Sequence, residues 1–244
     1  MKIVLDEGYQ FGLGVFETIA VENGQPILLS WHLERMNRSL AALGIDRFVT
    51  ESDVQEYLAG QGANHHGLKI IVSGRNTVFT LRRNHYQPEQ YERGFRLYLS
   101  QVYRNETSPL VCHKTLNYGD CILEKRRAAS LDADELIFKN SRGELCEGTV
   151  SNLFFVKGGQ IFTPPIGCGL LPGILRRFVL EHFSVKEVIL HEKDVMQMDE
   201  CFVTNSLMGI MPVASFLEKK FTERSVTGRC MKRYQEYLFK EAGR

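Results

Sequence analysis

The 244-residue sequence has no Cys-x-x-Cys pair. Its six cysteines stand apart at positions 112, 121, 146, 168, 201 and 230, which suits neither a zinc ribbon nor a small disulfide-stapled scaffold. No metal site is expected, and a reducing cytoplasm is the expected setting. No apolar run approaches the roughly 20 residues that a membrane span needs, and the opening "MKIVLDEGYQ" carries acids where a secretory signal needs its apolar stretch. An excess of charge of one sign is missing too. The formal net charge is +1, so no global field draws the chain to nucleic acid or to a membrane surface. There are no repeats and no low-complexity segments. With 43% apolar and 24% charged residues the chain is an ordinary globular one, long enough for one large domain or two modest ones.

The first half opens with the β-branched run "VFETIAV" (15–21), a turn at "ENGQ" and a second strand at "PILL". Ser30 is placed to cap a helix through "WHLERMNRSLAALG", where Leu33, Met36, Leu40 and Leu43 recur at helical spacing and Gly44 stops it. A short helix near 51–59 and strands near 68–73, 77–81 and 95–103 follow. The polar, proline-bearing stretch around 105–112 reads as a linker between a smaller lobe, 1–104, and a larger one, 113–244. In the second half a helix runs to about Leu131. Strands punctuated by "NSRG" and "KGGQ" turns come next, then the loop "IGCGLLPG", a helix "ILRRFVLEHF", strands at 185–190 and 201–204, and a C-terminal helix after "SVTG". Both halves mix sheet and helix. The expected fold class is α/β (α+β), two-lobed, with the site between the lobes.

Individual candidates each have a plain reading. Lys114 in "HKTLNYGD" could be a solvated surface cation. Glu147 in "LCEGTVSN" could end a hairpin, Arg35 could be one more charge on an exposed helix face, and Gly173 could be a turn residue before an unliganded helix. Their order is more telling. An Arg on the first helix is followed by a Lys opening the second lobe and by E-G-x-x-S-N before a strand. A Gly-led helix start and the polar pair Asn205-Ser206 before a proline complete the series.

The segments "FGLGVFET", "HLERMNRSL", "KTLNY", "CEGTVSNLFFV", "LLPGILRRFV" and "TNSLMGIMPV" resemble, in this order, the class IV aminotransferase family of fold-type IV pyridoxal-phosphate enzymes, over residues 11–212. The resemblance implies pyridoxal 5'-phosphate as cofactor and a homodimer. It makes Lys114 the lysine that forms the Schiff base, and Glu147 the carboxylate that keeps the pyridine nitrogen protonated so that the ring withdraws electrons. Arg35, Ser206 and the amides of Ile174 and Leu175 behind Gly173 match the phosphate contacts, and Tyr118 matches a tyrosine near the ring oxygen. Two departures stand out. Many transaminases of the family have a threonine hydroxyl where this chain has Leu175, and the aspartate of the N-terminal "YGDG"-like turn is Leu13.

Within the family, branched-chain and D-amino-acid aminotransferases move the amine to a keto acid, whereas the lyases convert 4-amino-4-deoxychorismate to 4-aminobenzoate and pyruvate for folate biosynthesis. The residue after Glu17 is Thr18 where branched-chain enzymes carry Gly, and "TNSLM" resembles the lyases' version of that patch. These two positions point to the lyase. Thr18 would contact the substrate or guide a proton, and Asn205 would offer a donor to a carboxylate, with Arg75 a further carboxylate clamp. The plain alternatives are that Thr18 is chosen for β-propensity, that Asn205 caps a turn and that Arg75 is solvated. The competing functions are an aminotransferase of either kind and a non-catalytic ligand-binding member of the fold. Lys114→Ala tests the central assignment. The variant should fold normally by circular dichroism yet lack both the visible absorbance band of the reconstituted protein and nearly all turnover. Normal turnover in that variant would remove Lys114 from the site.

Overall fold

The computed structural model describes residues 2–243, which group into two compact units. One unit contains the chain up to His85, the segment His113–Tyr118 and the residues from Glu236 onward; the other contains Tyr86–Cys112 and Gly119–Gln235.

The first unit begins with a short helix, α1 (Glu7–Phe11), capped by the Asp6 carboxylate, which accepts from the Tyr9 amide. Strand β1 (Gly14–Glu22) turns at Asn23-Gly24 into a two-residue β2 (Gln25–Pro26). Helices α2 (Leu29–Ala42) and α3 (Glu51–Leu58) precede β3 (His65–Ser73) and β4 (Thr77–Arg83), giving an antiparallel sheet in the order β2-β1-β3-β4. Alternation along β1 sends Val15, Glu17, Ile19 and Val21 to one face. There Val15, Ile19 and Val21 pack with Leu33, Met36 and Leu40 of α2. The expected "PILL" strand is only the Gln25–Pro26 pair, because the chain leaves the sheet at Ile27 and enters α2 through Leu28, whose φ is 53°. Ser30 therefore lies inside the helix and caps nothing. Leu28 is the cap residue and makes no side-chain bond. Helix α3 has the reciprocal Thr50–Asp53 capping box.

The second unit starts with α4 (Pro88–Arg93) and β5 (Phe95–Arg104), then α5 (Gly119–Ser130), β6 (Glu135–Asn140), β7 (Leu145–Gly148), β8 (Asn152–Lys157) and β9 (Gln160–Thr163). Helix α6 (Ile174–His182), β10 (Val185–Glu187), β11 (Glu200–Asn205), β12 (Gly209–Phe216), β13 (Lys219–Lys220) and α7 (Ser225–Ala242) complete the chain. The sheet runs β10-β9-β8-β11-β12-β5-β6-β7, and β7 also pairs with β8. That last pairing, Glu147 with Asn152, closes β8, β11, β12, β5, β6 and β7 into a ring. Inward-facing Leu97, Ile137, Leu145, Phe155, Val203 and Met211 fill it. On the outer face Phe154 and Phe202 stack at 4.8 Å beneath α6.

The boundary expected after residue 104 falls instead near residue 86. Strand β5 pairs in parallel with β6 and β12 and so belongs to the second unit, while His113–Tyr118 pairs along β1 of the first. Nothing in the local sequence of β5 names its partners.

The seam of the ring is built by the tight turn 149–151. Buried Glu135 accepts from the Thr149 amide at 3.0 Å, from the Thr149 hydroxyl and from the Ser151 hydroxyl at 2.9 Å. Gly148 lets this happen, since a Cβ there would collide with Ser151 Oγ and crowd the Glu135 side chain. Gly148→Ala should destabilise the protein by about 1–3 kcal/mol in urea denaturation, the usual cost of forcing a methyl into a packed site. An unchanged midpoint would show that the turn can move aside.

Candidate active site

In the first unit the residues around Lys114 form a strand-like addition to β1. The Phe16 amide donates to the Lys114 carbonyl at 2.8 Å, the Leu116 amide donates to the Gly14 carbonyl at 2.9 Å, and Thr115 bridges to Val15. This fixes the lysine's backbone while its Nζ lies 4.5 Å from the centre of the Phe16 ring and 4.9 Å from that of Tyr118. The two rings meet edge to face at 5.0 Å. The half-buried ammonium thus sits in an aromatic corner, and Tyr118 is one of its walls.

Thr18 is two residues along β1 from Phe16 and therefore projects to the same face. Its partner across the sheet is Lys69, a residue the sequence did not single out. The Lys69 ammonium lies 4.6 Å from the same Phe16 ring. Burial, then the nearby Arg82 charge, push its pKa down. One sheet face therefore carries a hydroxyl and a partly desolvated cation beside the ring that Lys114 reaches.

Arg35 is on the opposite side of β1, in α2. Its Nε donates to Glu17 Oε1 and its Nη2 to Glu17 Oε2, both at 2.7 Å, and His32 Nδ1 is 2.6 Å from Oε2. All three side chains are buried. Burial raises the Glu17 pKa, but the charges of Arg35 and His32 and their hydrogen bonds outweigh it, and the carboxyl ends well below the usual range. Burial, first, drives the His32 pKa down, helped by the charges of Arg35 and Lys114 and opposed by its contact with Glu17. Arg75 is exposed, and its amide donates to Asp6 Oδ2 at 2.8 Å. Asp6 also accepts from the Ser73 hydroxyl and the Asn76 side chain, bonds that lower its pKa to about 2 and anchor the 73–76 loop.

In the second unit Glu147 is 4% exposed. Its Oε1 accepts from Arg104 Nε at 3.1 Å and from Arg104 Nη2, and its Oε2 accepts from the Leu171 amide at 3.1 Å. Arg104 in turn lies over the Phe138 ring. Asn152, the residue paired with Glu147 across the seam, donates to the Leu171 carbonyl at 2.9 Å. Both backbone groups of Leu171 in the "GLLPG" loop are thus held. This delivers Gly173 against Asn152, so closely that a Cβ would overlap the Asn152 Oδ1. Gly173 opens α6 without any side-chain cap, which leaves the first-turn amides, Ile174 and Leu175 among them, with no acceptor from within the helix. Asn205 Oδ1 accepts from the Leu207 and Met208 amides at 3.0 and 2.9 Å, and its Nδ2 donates to the Tyr86 hydroxyl. It caps the turn between β11 and β12, in which half-buried Ser206 sits.

Sequence reasoning missed Lys69, Asp6, His32, Arg104 and Asn152. Each acts through a partner distant in sequence. Of these, Asn152, inside "CEGTVSN", and His32, at the head of "HLERMNRSL", lay within quoted motifs that could have exposed their roles.

Residues 14–216 match the family model for amino-transferase class IV. The chain belongs to the class IV aminotransferase family. Members of this family depend on pyridoxal phosphate. The chain is 28% identical over 246 residues to the aminodeoxychorismate lyase of Bacillus subtilis (strain 168), covering 90% of this chain and 83% of that one. It is 27% identical over 235 residues to the D-alanine aminotransferase of Bacillus licheniformis, covering 86% and 81%. The Escherichia coli branched-chain amino acid aminotransferase structure superposes with a TM-score of 0.85 at 21% identity, over 97% of this chain and 89% of that one. Membership thus fixes the fold and leaves the reaction to the chain's own residues.

Glu17 provides a test through pH. Its folded pKa is depressed from 4.5 and that of His32 from 6.5, so the unfolded chain binds more protons than the folded one below each ordinary value. Stability is retained above about pH 6.5 and should fall progressively as the pH drops through the His32 and Glu17 ranges. Glu17→Gln should flatten the lower part of that fall. It should also cost roughly 3–5 kcal/mol at pH 7, because Arg35 is left buried without its counter-ion. Urea midpoints measured from pH 8 to pH 4 check both.

Proposed function

We propose that this protein is a pyridoxal-phosphate-dependent lyase that converts 4-amino-4-deoxychorismate to 4-aminobenzoate and pyruvate. The observation that carries the reading is Thr18 paired with Lys69 on the sheet face where Lys114 meets Phe16. A diacid substrate needs more than one cation or donor beside the amine, and this face supplies a hydroxyl and a second ammonium. A branched-chain aliphatic substrate would be served better by apolar side chains there.

The residues present suit the cofactor. The uncapped start of α6, with Gly173 packed on Asn152 to set its direction, suits a phosphate, and Arg35 and Ser206 would add to its contacts. Glu147 would face the ring nitrogen, held by the donors of Arg104 and the Leu171 amide, and Tyr118 would flank the ring. When bound, the cofactor supplies an electron sink for the carbanion formed next to the substrate amine. Lys114 would anchor the cofactor through Nζ, and take the proton from the carbon bearing the amine. Loss of that proton and of the enolpyruvyl C–O bond aromatises the ring. Protonation of the departing enolpyruvate gives pyruvate, so no second substrate is consumed. Asn205 and Arg75 would meet substrate carboxylates, Asn205 through the amide that here donates to Tyr86.

The proposal includes a homodimer, whose interface would cover some of the exposed apolar side chains, Tyr98, Tyr103 and Leu123 among them. All six cysteines are free thiols, which supports a reducing compartment.

Given 4-amino-4-deoxychorismate and no keto acid, the loaded enzyme should turn over many times and release pyruvate and 4-aminobenzoate in equal amounts. A protein that makes no pyruvate from it, yet sustains turnover with an amino acid plus 2-oxoglutarate, would overturn the lyase reading in favour of an aminotransferase.

A further inference from the structure

We propose that Thr204 is a phosphate ligand, supplying from β11 the hydroxyl that position 175 lacks. The inference rests on the pyridoxal-phosphate reading of the site and names a residue that the family motifs did not mark.

Thr204 lies near the end of β11 and is 1% exposed, and its Oγ1 is buried with no hydrogen-bond partner. A hydroxyl carries one donor and two acceptor positions, and native structures rarely bury one with all of them unmatched. Something outside the protein is expected to complete it.

The register of the sheet says where that hydroxyl lies. Along β11, Cys201 and Val203 point into the ring, so Phe202 and Thr204 project from its outer face. The pairing with β8 sets Phe202 against Phe154 and Thr204 against Asn152. Partners in an antiparallel pair share a face. The stacked Phe154 and Phe202 rings confirm this for the first pair. Asn152 is the residue whose amide holds the Leu171 carbonyl and whose Oδ1 leaves Gly173 no room for a side chain. Thr204 therefore stands beside the side chain that fixes the start of α6, a nine-residue helix packed on β11 with no side-chain cap. An orphaned hydroxyl and uncapped amides converge at one spot. Their chemistry matches a phosphate monoester, with amides donating to its oxygens and the hydroxyl donating a further bond.

Position 175 sharpens the case. Its side chain is Leu175, buried, so only its amide can reach an anion. Thr204 restores a hydroxyl to the same helix start from the strand below.

The test compares pyridoxal phosphate with pyridoxal, which lacks the phosphate, titrated into cofactor-free protein and followed by quenching of the single tryptophan, Trp31. Thr204→Val should weaken pyridoxal phosphate binding roughly tenfold or more and leave pyridoxal binding unchanged, and Thr204→Ser should restore the loss. The cofactor-free Thr204→Val protein should melt no lower than wild type, because it no longer buries an unmatched hydroxyl. Thr204→Ala removes the hydroxyl without adding a methyl and gives the same comparison if the valine variant does not fold. A variant lacking the hydroxyl that binds pyridoxal phosphate as tightly as wild type overturns the assignment, as does an equal loss for both ligands. Wild-type protein that binds neither compound overturns the cofactor reading itself, a distinct result.

Discussion

A carboxylate taken out of water costs several kcal/mol unless donors surround it, and four of the buried carboxylates among the described residues join distant parts of the chain. Glu17 ties α2 to β1 through Arg35 and His32. Glu135 gathers the turn 149–151, and Glu147 joins the end of β5 to the loop before α6. Glu200 holds the start of α7, accepting from the Val226 and Thr227 amides and the Thr227 hydroxyl. Each finds its donors in a segment remote in sequence. Satisfying the charge and fixing the tertiary structure are then the same event, and candidate site residues lie next to three of the four.

The periodic elements were legible. Helices α2, α3 and α6 announce themselves by apolar spacing, and the turns at "ENGQ", "NSRG" and "KGGQ" fall between paired strands. The errors share a cause. "PILL" has the composition of a strand, but buried Ile27 and Leu28 turn out of the sheet to start a helix, a choice made by packing. Ser30 has the chemistry of a cap yet sits one residue inside. Strand β5 was recognisable as a strand and not as a member of the ring, since its partners β6 and β12 run parallel to it and β12 lies more than a hundred residues away.

The candidate site divides along the same line. Lys114, Arg35, Glu147 and Gly173 stood in motifs. Lys69 and Arg104 are single residues in unremarkable strands, and Thr204 opens a motif that gave it no role; only tertiary structure reveals what they stand beside. Asn205 shows the converse. Read for its chemistry it is a substrate contact, and its Oδ1 caps a turn that a sequence reading also allowed for.

The ring of the second unit is sealed at one residue pair, Glu147 with Asn152. These two side chains also clasp the loop that leads into α6. A ligand that touches both Glu147 and the first turn of α6 would bind only the sealed ring, and so would stabilise it in proportion to the logarithm of its concentration. For such a protein, resistance to unfolding and fractional saturation would be two readings of one equilibrium. Starvation for the ligand would then appear in a cell as a loss of protein, ahead of any loss in the activity of the molecules that remain.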